Sequence, residues 1–184
     1  AETIERIRAG ELFQANVCLR LDGRLEGAVA GLVDGVLTAT DPWYGGWIKA
    51  ADGRAILSAS PELFLRRRGR EVTTAPIKGT LPRAGGAEPS TDPTAARLLG
   101  SSKDRAEHVM IVDLMRNDLG RVCEYGSIRP DAEPVAEPHA GVWHLVSGVR
   151  GTLHPDFGAG GLVDRPFPPR SGTGAPTGQA RRGN

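Results

Sequence analysis

One stretch constrains this chain more than any other: Ser101–Arg121, SSKDRAEHVMIVDLMRNDLGR. Ser101 or Ser102 can cap a helix start, and Asp104 follows Ser101 by three residues, the spacing of a capping box. Gly120 is a natural stop, with Arg121 near the negative end of the helix dipole. Val109-Met110-Ile111-Val112 is apolar on every side, so the helix is expected to be buried and central rather than a surface cover.

Within it, Asp104, Glu107, His108 and Ile111 share a stripe, because residues three and four apart are neighbours on a helix. Asp104 reads as part of the cap. Glu107 is too far in to cap, and an acid entering an apolar helix needs a cation, a metal or donors. By spacing alone its partner is Lys103 or Arg105.

The 184 residues are enough for one domain with a real core. Charge is balanced, 23 Lys+Arg against 22 Asp+Glu, which gives no basis for a nucleic-acid or acidic-membrane partner. The one basic run, Arg66-Arg67-Arg68, meets Gly69 and reads as a solvated turn. Cys18 and Cys123 are far apart and read as reduced core thiols. No signal peptide and no membrane-length apolar run is visible, so a cytoplasmic location is expected.

Along the chain, Ala1–Gly10 is short and amphipathic, with Ile4 and Ile7 on one face. Leu12–Leu21 alternates, which predicts a half-buried strand with Phe13, Val17 and Leu19 inside. A helix over Gly23–Thr40 is weakened by Gly27, Gly31 and Gly35. Short strands are expected at Ala55–Ser58 and in a hairpin, Leu63–Arg67 with Glu71–Ala75. Pro76–Thr80 should end that sheet segment. Thr94–Gly100 should be a short helix. Strands at Ser127–Arg129 and Trp143–Leu153 should be joined by a loop, Pro130–Pro138. Strands, a helical block, then strands again indicate an α+β fold. The final 31 residues, 154–184, carry seven Gly and five Pro, and Pro166, Pro168 and Pro169 exclude a helix there. The expected division is a main unit over 1–153 and a Gly/Pro-rich continuation over 154–184.

Six ordered blocks resemble one family: Gly10–Asn16 (GELFQAN), Ser60-Pro61-Glu62, Pro76–Thr80 (PIKGT), Lys103–Arg121, Trp143–Ser147 (WHLVS) and Ser171–Pro176 (SGTGAP). They resemble the chorismate-using enzymes, which include the large subunits of anthranilate and aminodeoxychorismate synthases and the more distant isochorismate and salicylate synthases. The resemblance implies an anthranilate-synthase-like α/β sandwich of antiparallel sheets and packed helices, with the site in the cleft between layers. It implies chorismate as substrate and Mg²⁺ as cofactor. Glu107 matches a magnesium ligand, and a helix carboxylate facing an anionic substrate suits a hard cation. Glu62 matches the carboxylate that protonates or orients the departing hydroxyl. His144 matches a cleft histidine, although a lone His on an alternating strand is ordinarily a bonded core residue. Thr80, Thr173 and Gly174 fall at substrate-binding positions; on composition alone the last two belong to a Gly-rich turn.

Lys78 separates members of that family. Anthranilate synthases usually carry PIAGT, and aminodeoxychorismate synthases PIKGT. The lysine amine can attack C2 of chorismate as the C4 hydroxyl leaves, after which ammonia displaces it at C4. The resemblance therefore implies amination of chorismate to 4-amino-4-deoxychorismate, with ammonia from a glutamine amidotransferase subunit. The alternatives are anthranilate synthase component I and, outside catalysis, an inactive remnant that keeps partner binding. The departures lie late in the chain. Arg170, Gly172 and Thr177 stand where the family loop has Gly, Val and Lys, and the family's C-terminal motifs do not follow. An incomplete catalytic unit is the expectation.

Overall fold

The computed structural model describes residues 2–11 and 19–165, and the backbone of 14–15 and 174–175. The order is α1 (Glu2–Arg8), β1 (Gln14–Ala15), α2 (Val29–Thr40), β2 (Gly46–Lys49), β3 (Ala55–Ser58), β4 (Leu63–Arg68), β5 (Glu71–Ala75), β6 (Ile77–Pro82), α3 (Pro93–Gly100), α4 (Ser102–Leu119), β7 (Arg129–Pro130), β8 (Val135–His139), β9 (Val142–Val146), β10 (Val149–Thr152), α5 (Ala159–Asp164) and β11 (Gly174–Ala175). The strands form two larger sheets, β4-β5-β10-β7 and β6-β9-β8, and two pairs, β2-β3 and β1-β11. Their pairings are antiparallel, which makes this the mixed helix and antiparallel-sheet fold expected from the sequence.

The larger sheets are two stretches of one bent ribbon. β5 pairs with β10 (Thr74 opposite Val149), and immediately beyond, β6 pairs with β9 (Ile77 opposite Val146). The ribbon bends at buried Pro76 on one strand and at Ser147-Gly148 on the other. Proline has no N–H to continue a ladder. At Gly148, an added Cβ would lie 2.7 Å from Asp131 Oδ2, and the Gly148 N–H donates to that same oxygen at 2.6 Å. Trp143–Leu153 is therefore two strands in different sheets, not the single strand expected; Pro76 does end the first sheet segment, and Ile77 directly opens a strand of the next.

Each stretch has its own core. Ile111, Met115 and Leu119 of α4 pack with Val72, Val149 and Leu153, joined by Leu162 of α5. Ala95 and Leu98 of α3 pack with Ala136, Trp143 and Leu145. Each fully buried aliphatic side chain contributes about 1.5–3 kcal/mol. α3 is capped by Asp92, whose Oδ1 accepts from the Thr94 N–H at 2.7 Å while Oδ2 accepts from Trp143 Nε1 at 2.7 Å. The indole N–H, then the backbone N–H of Thr94, hold the Asp92 carboxyl below the usual carboxylate range. α4 starts as expected, with Ser101 Oγ accepting from the Asp104 N–H at 3.2 Å, and stops at Gly120.

Three expectations are corrected. α4 is not buried all round: Ile111 is fully enclosed, but Val109 is 64% exposed and Met110 also faces outward. The sheets meet the helix from one side, and among the described residues nothing covers the other. In Leu12–Leu21, the described strand is Gln14–Ala15, paired with Ala175 and Gly174. Leu19 is 91% exposed in irregular chain. An alternating run becomes a half-buried strand only where a neighbouring strand meets it, and among the described residues none meets Leu19–Leu21. Phe13 and Val17 lie outside the described residues, as does Cys18. Finally, Pro130–Pro138 is not all loop, because Val135–His139 is the edge strand β8. An edge strand tolerates Pro138, whose missing N–H is not required on the outer side.

Candidate active site

The ribbon's second stretch gathers most of the candidate residues. Ser60-Pro61-Glu62 is a tight turn: the Glu62 N–H donates to Ser60 Oγ at 3.2 Å, and that hydroxyl donates to the Glu62 carbonyl at 3.0 Å. The turn aims the half-buried Glu62 side chain at the start of β6, where Oε1 accepts from the Ile77 N–H at 3.3 Å. Burial raises the Glu62 carboxyl above the ordinary value, while the Ile77 N–H and the Lys78 charge pull the other way. A carboxyl so balanced can hold a proton nearer neutrality than a solvated one.

Lys78 is the next residue, half-buried, opposite Leu145. Its charge acts on Glu62 and also on His108 of α4. A register shift between Lys78 and Thr80 follows from Gly79, whose φ is +79°. A Cβ there would meet Leu98 Cδ1 at 2.9 Å and Asp104 Cβ at 3.2 Å. Glycine is thus required twice over, for the left-handed backbone and for the approach of α3 and α4. The shift brings Thr80 opposite His144, with Thr80 Oγ1 and His144 Nδ1 3.0 Å apart. Burial lowers the His144 pKa, and the Gly79 carbonyl partly offsets this.

His144 lines an open cleft of about 250 Å³ with Thr40, Pro42, Pro61, His139 and Val142. Three rings stand in series there. Trp43 lies 4.6 Å from His139, and His139 lies 4.8 Å from His144, edge to face. His139 went unnoticed in sequence because it fell between the expected loop Pro130–Pro138 and the expected strand starting at Trp143.

Glu107 is one turn after Asp104 on the outer side of α4, half-exposed and paired with Lys103 at 3.9 Å. Lys103 is one of the two partners its spacing allowed. Next to it His108 turns inward, buried, with Nε2 2.7 Å from Ser147 Oγ. Both residues lay within recognised motifs, but nothing in the sequence announced their contact. The Glu107 carboxylate is an accessible hard oxygen donor and fits a magnesium ion that keeps waters and substrate oxygens. Among the described residues no three His, Cys, Asp or Glu side chains converge on one ion. Thr173 lies outside the described residues. Gly174 is paired with Ala15 in the β1-β11 pair.

The model of the chorismate binding enzyme family matches residues 1–182, and the chain belongs to that family. It is 41% identical over 171 residues to aminodeoxychorismate synthase component 1 of Klebsiella aerogenes, across 92% of this chain and 37% of that one. It is 40% identical over 178 residues to anthranilate synthase component 1 of Streptomyces coelicolor, across 96% and 34% respectively. Its fold superposes on the crystal structure of anthranilate synthase component I from Streptococcus pneumoniae with a TM-score of 0.84 and 30% identity, over 98% of this chain and 39% of that one. The chain thus spans a little over a third of the length of these relatives. Among its described residues, no helix is long and apolar enough to cross a membrane.

Proposed function

We propose that this chain carries part of the site of an enzyme that aminates chorismate at C4, giving 4-amino-4-deoxychorismate. The observation that carries the reading is Lys78, set beside the β6 bulge and next to the Glu62 carboxyl, whose pKa burial raises. In the proposed sequence the neutral Lys78 amine forms a bond to C2. Both ring double bonds shift, C1=C2 to C1=C6 and C5=C6 to C4=C5, the C4–O bond breaks, and Glu62 gives its proton to the departing oxygen, so that water leaves. Ammonia then bonds to C4, both double bonds return to their starting positions, and the C2–N bond to Lys78 breaks. The proton from ammonia restores Glu62 as an acid. Thr80 orients the His144 ring, which faces the cleft beside the reacting centre, and Thr173 and Gly174 are assigned to a substrate carboxylate.

Glu107 is assigned as a ligand to magnesium, which would supply charge neutralisation for the carboxylates of chorismate. The ammonia source is assigned to a glutamine amidotransferase subunit, as the name "component 1" of the relatives suggests. Anthranilate synthase is the competing reading, since such relatives match nearly as well. Lys78 stands against it, because direct attack of ammonia at C2 needs no amine at that position.

The test is product identity. This segment is exchanged for the matching segment of the Klebsiella aerogenes protein, and the chimera is given chorismate, an ammonium salt and Mg²⁺. The 4-amino product supports the reading. Anthranilate overturns it in favour of the competitor.

A further inference from the structure

We infer that His139 is a positioning residue for His144: it closes a stack of rings, Trp43–His139–His144, that presses the His144 imidazole against Thr80 and holds it in one orientation and one tautomer. The inference rests on the assignment of His144 to the cleft chemistry.

The geometry comes from the register of β8 and β9. Glu137 is opposite His144 and His139 is opposite Val142, so Glu137, His139, Val142 and His144 share the cleft face of the sheet. An imidazole on a strand has two torsions to fix. Thr80 fixes one edge of His144 through the 3.0 Å contact at Nδ1. His139 fixes the ring's other side at 4.8 Å, with an interplanar angle of 65°. Such edge-to-face ring pairs are directional as well as apolar. His139 is in turn held by Trp43 at 4.6 Å and 32°. It is buried, with 5% of its side chain exposed, and its Nε2 finds no hydrogen bond. The nearest acid, Glu137 Oε2, is 3.8 Å away, beyond hydrogen-bond reach. A polar ring kept buried without a bond at that nitrogen is better explained by the ring's shape and stacking than by its hydrogen bonding.

Among the described residues, the groups facing the pair come from three elements, and Glu137 is the one acid among them. From β8 comes Glu137, its carboxyl raised by burial and then by Asp131. From β6 come the Thr80 hydroxyl and the Gly79 carbonyl. From the end of α2 and the following turn come Thr40, Pro42 and Trp43, all uncharged. Burial keeps both imidazoles below their ordinary pKa, and a proton on His144 opposes a second on His139.

The experiment is ¹⁵N and ¹³C NMR of the histidine rings in this chain, which reports tautomer and titration residue by residue and does not depend on turnover. Failure here is therefore distinct from failure of the amination reading. In the unmodified chain His144 should show a single-tautomer pattern. His139→Phe keeps the stack and should keep that pattern. His139→Ala removes the stack and should give averaged ring signals at His144, with its midpoint shifted toward that of a solvated histidine. Retention of the single tautomer in His139→Ala overturns the inference. So does loss of it in His139→Phe, which would make the ring nitrogens responsible. Should His139→Ala unfold the β8–β9 hairpin, Trp43→Ala tests the stack from its half-exposed end. Averaging at His144 supports the inference there, and an unchanged pattern overturns it.

Discussion

His108 Nε2 lies 2.7 Å from Ser147 Oγ, and both residues are buried. This contact ties the middle of α4 to the bend between β9 and β10, beside the strand that carries His144. His108→Ala would leave the Ser147 hydroxyl buried without its partner and open a cavity among core residues. A loss of about 2–4 kcal/mol in unfolding free energy is expected. Urea denaturation measures it, and a change below about 0.5 kcal/mol would show that the contact contributes little.

Gly79 is the second structural dependence. Gly79→Ala forces a side chain into a φ of +79° and against Leu98 and Asp104. The expected cost is about 1–3 kcal/mol. Thermal melting should show it as a lowered Tm. Gly69 is a useful control, since its φ is +60° but a Cβ there meets nothing within 4 Å. Gly69→Ala should therefore cost less than Gly79→Ala.

The buried imidazoles make stability depend on pH. His139 and His144 have folded pKa values below the ordinary histidine value of 6.5, chiefly through burial. The unfolded chain binds protons at about pH 6.5 that the native chain refuses. Their contribution is fully present above that pH and is lost as pH falls below it. Glu62 and Glu137, raised by burial, act in the opposite sense at lower pH. The histidine part is therefore read as a difference: His139→Phe should show a shallower loss of unfolding free energy between pH 7.5 and 5.5 than the unmodified chain. Equal slopes would contradict the assignment.

How much of this was legible beforehand follows a physical line. Local signals were reliable. The Ser101 cap, the Gly120 stop, the Arg68-Gly69-Arg70 hairpin and the short helix ending at Gly100 are each decided within a few residues. What depends on distant partners was not. Val109 and Ile111 are equally apolar, yet one is exposed and the other enclosed because the sheets lie on one side of α4. Leu19 alternates correctly but meets no strand among the described residues. Trp143–Leu153 read as one strand and Pro76 as the end of a sheet segment, although Pro76 and Gly148 are bends where one ribbon passes between sheets. For the site, the motifs named Glu62, Lys78 and His144. The ring stack through His139 and the His108–Ser147 contact needed coordinates, because both join residues whose spacing in the chain carries no pattern.

Whether Lys78 acts as a nucleophile can be read from the protein itself. The Klebsiella chimera carrying this segment is mixed with chorismate and Mg²⁺ in the absence of ammonia, digested, and examined by mass spectrometry. A nucleophilic Lys78 should carry a chorismate-derived mass, less one water, on its peptide, and that mass should be absent in Lys78→Ala and Lys78→Arg. Arginine fails because its guanidinium stays protonated. No adduct on Lys78, together with wild-type production of the 4-amino product by Lys78→Ala once ammonia is added, would contradict the claim.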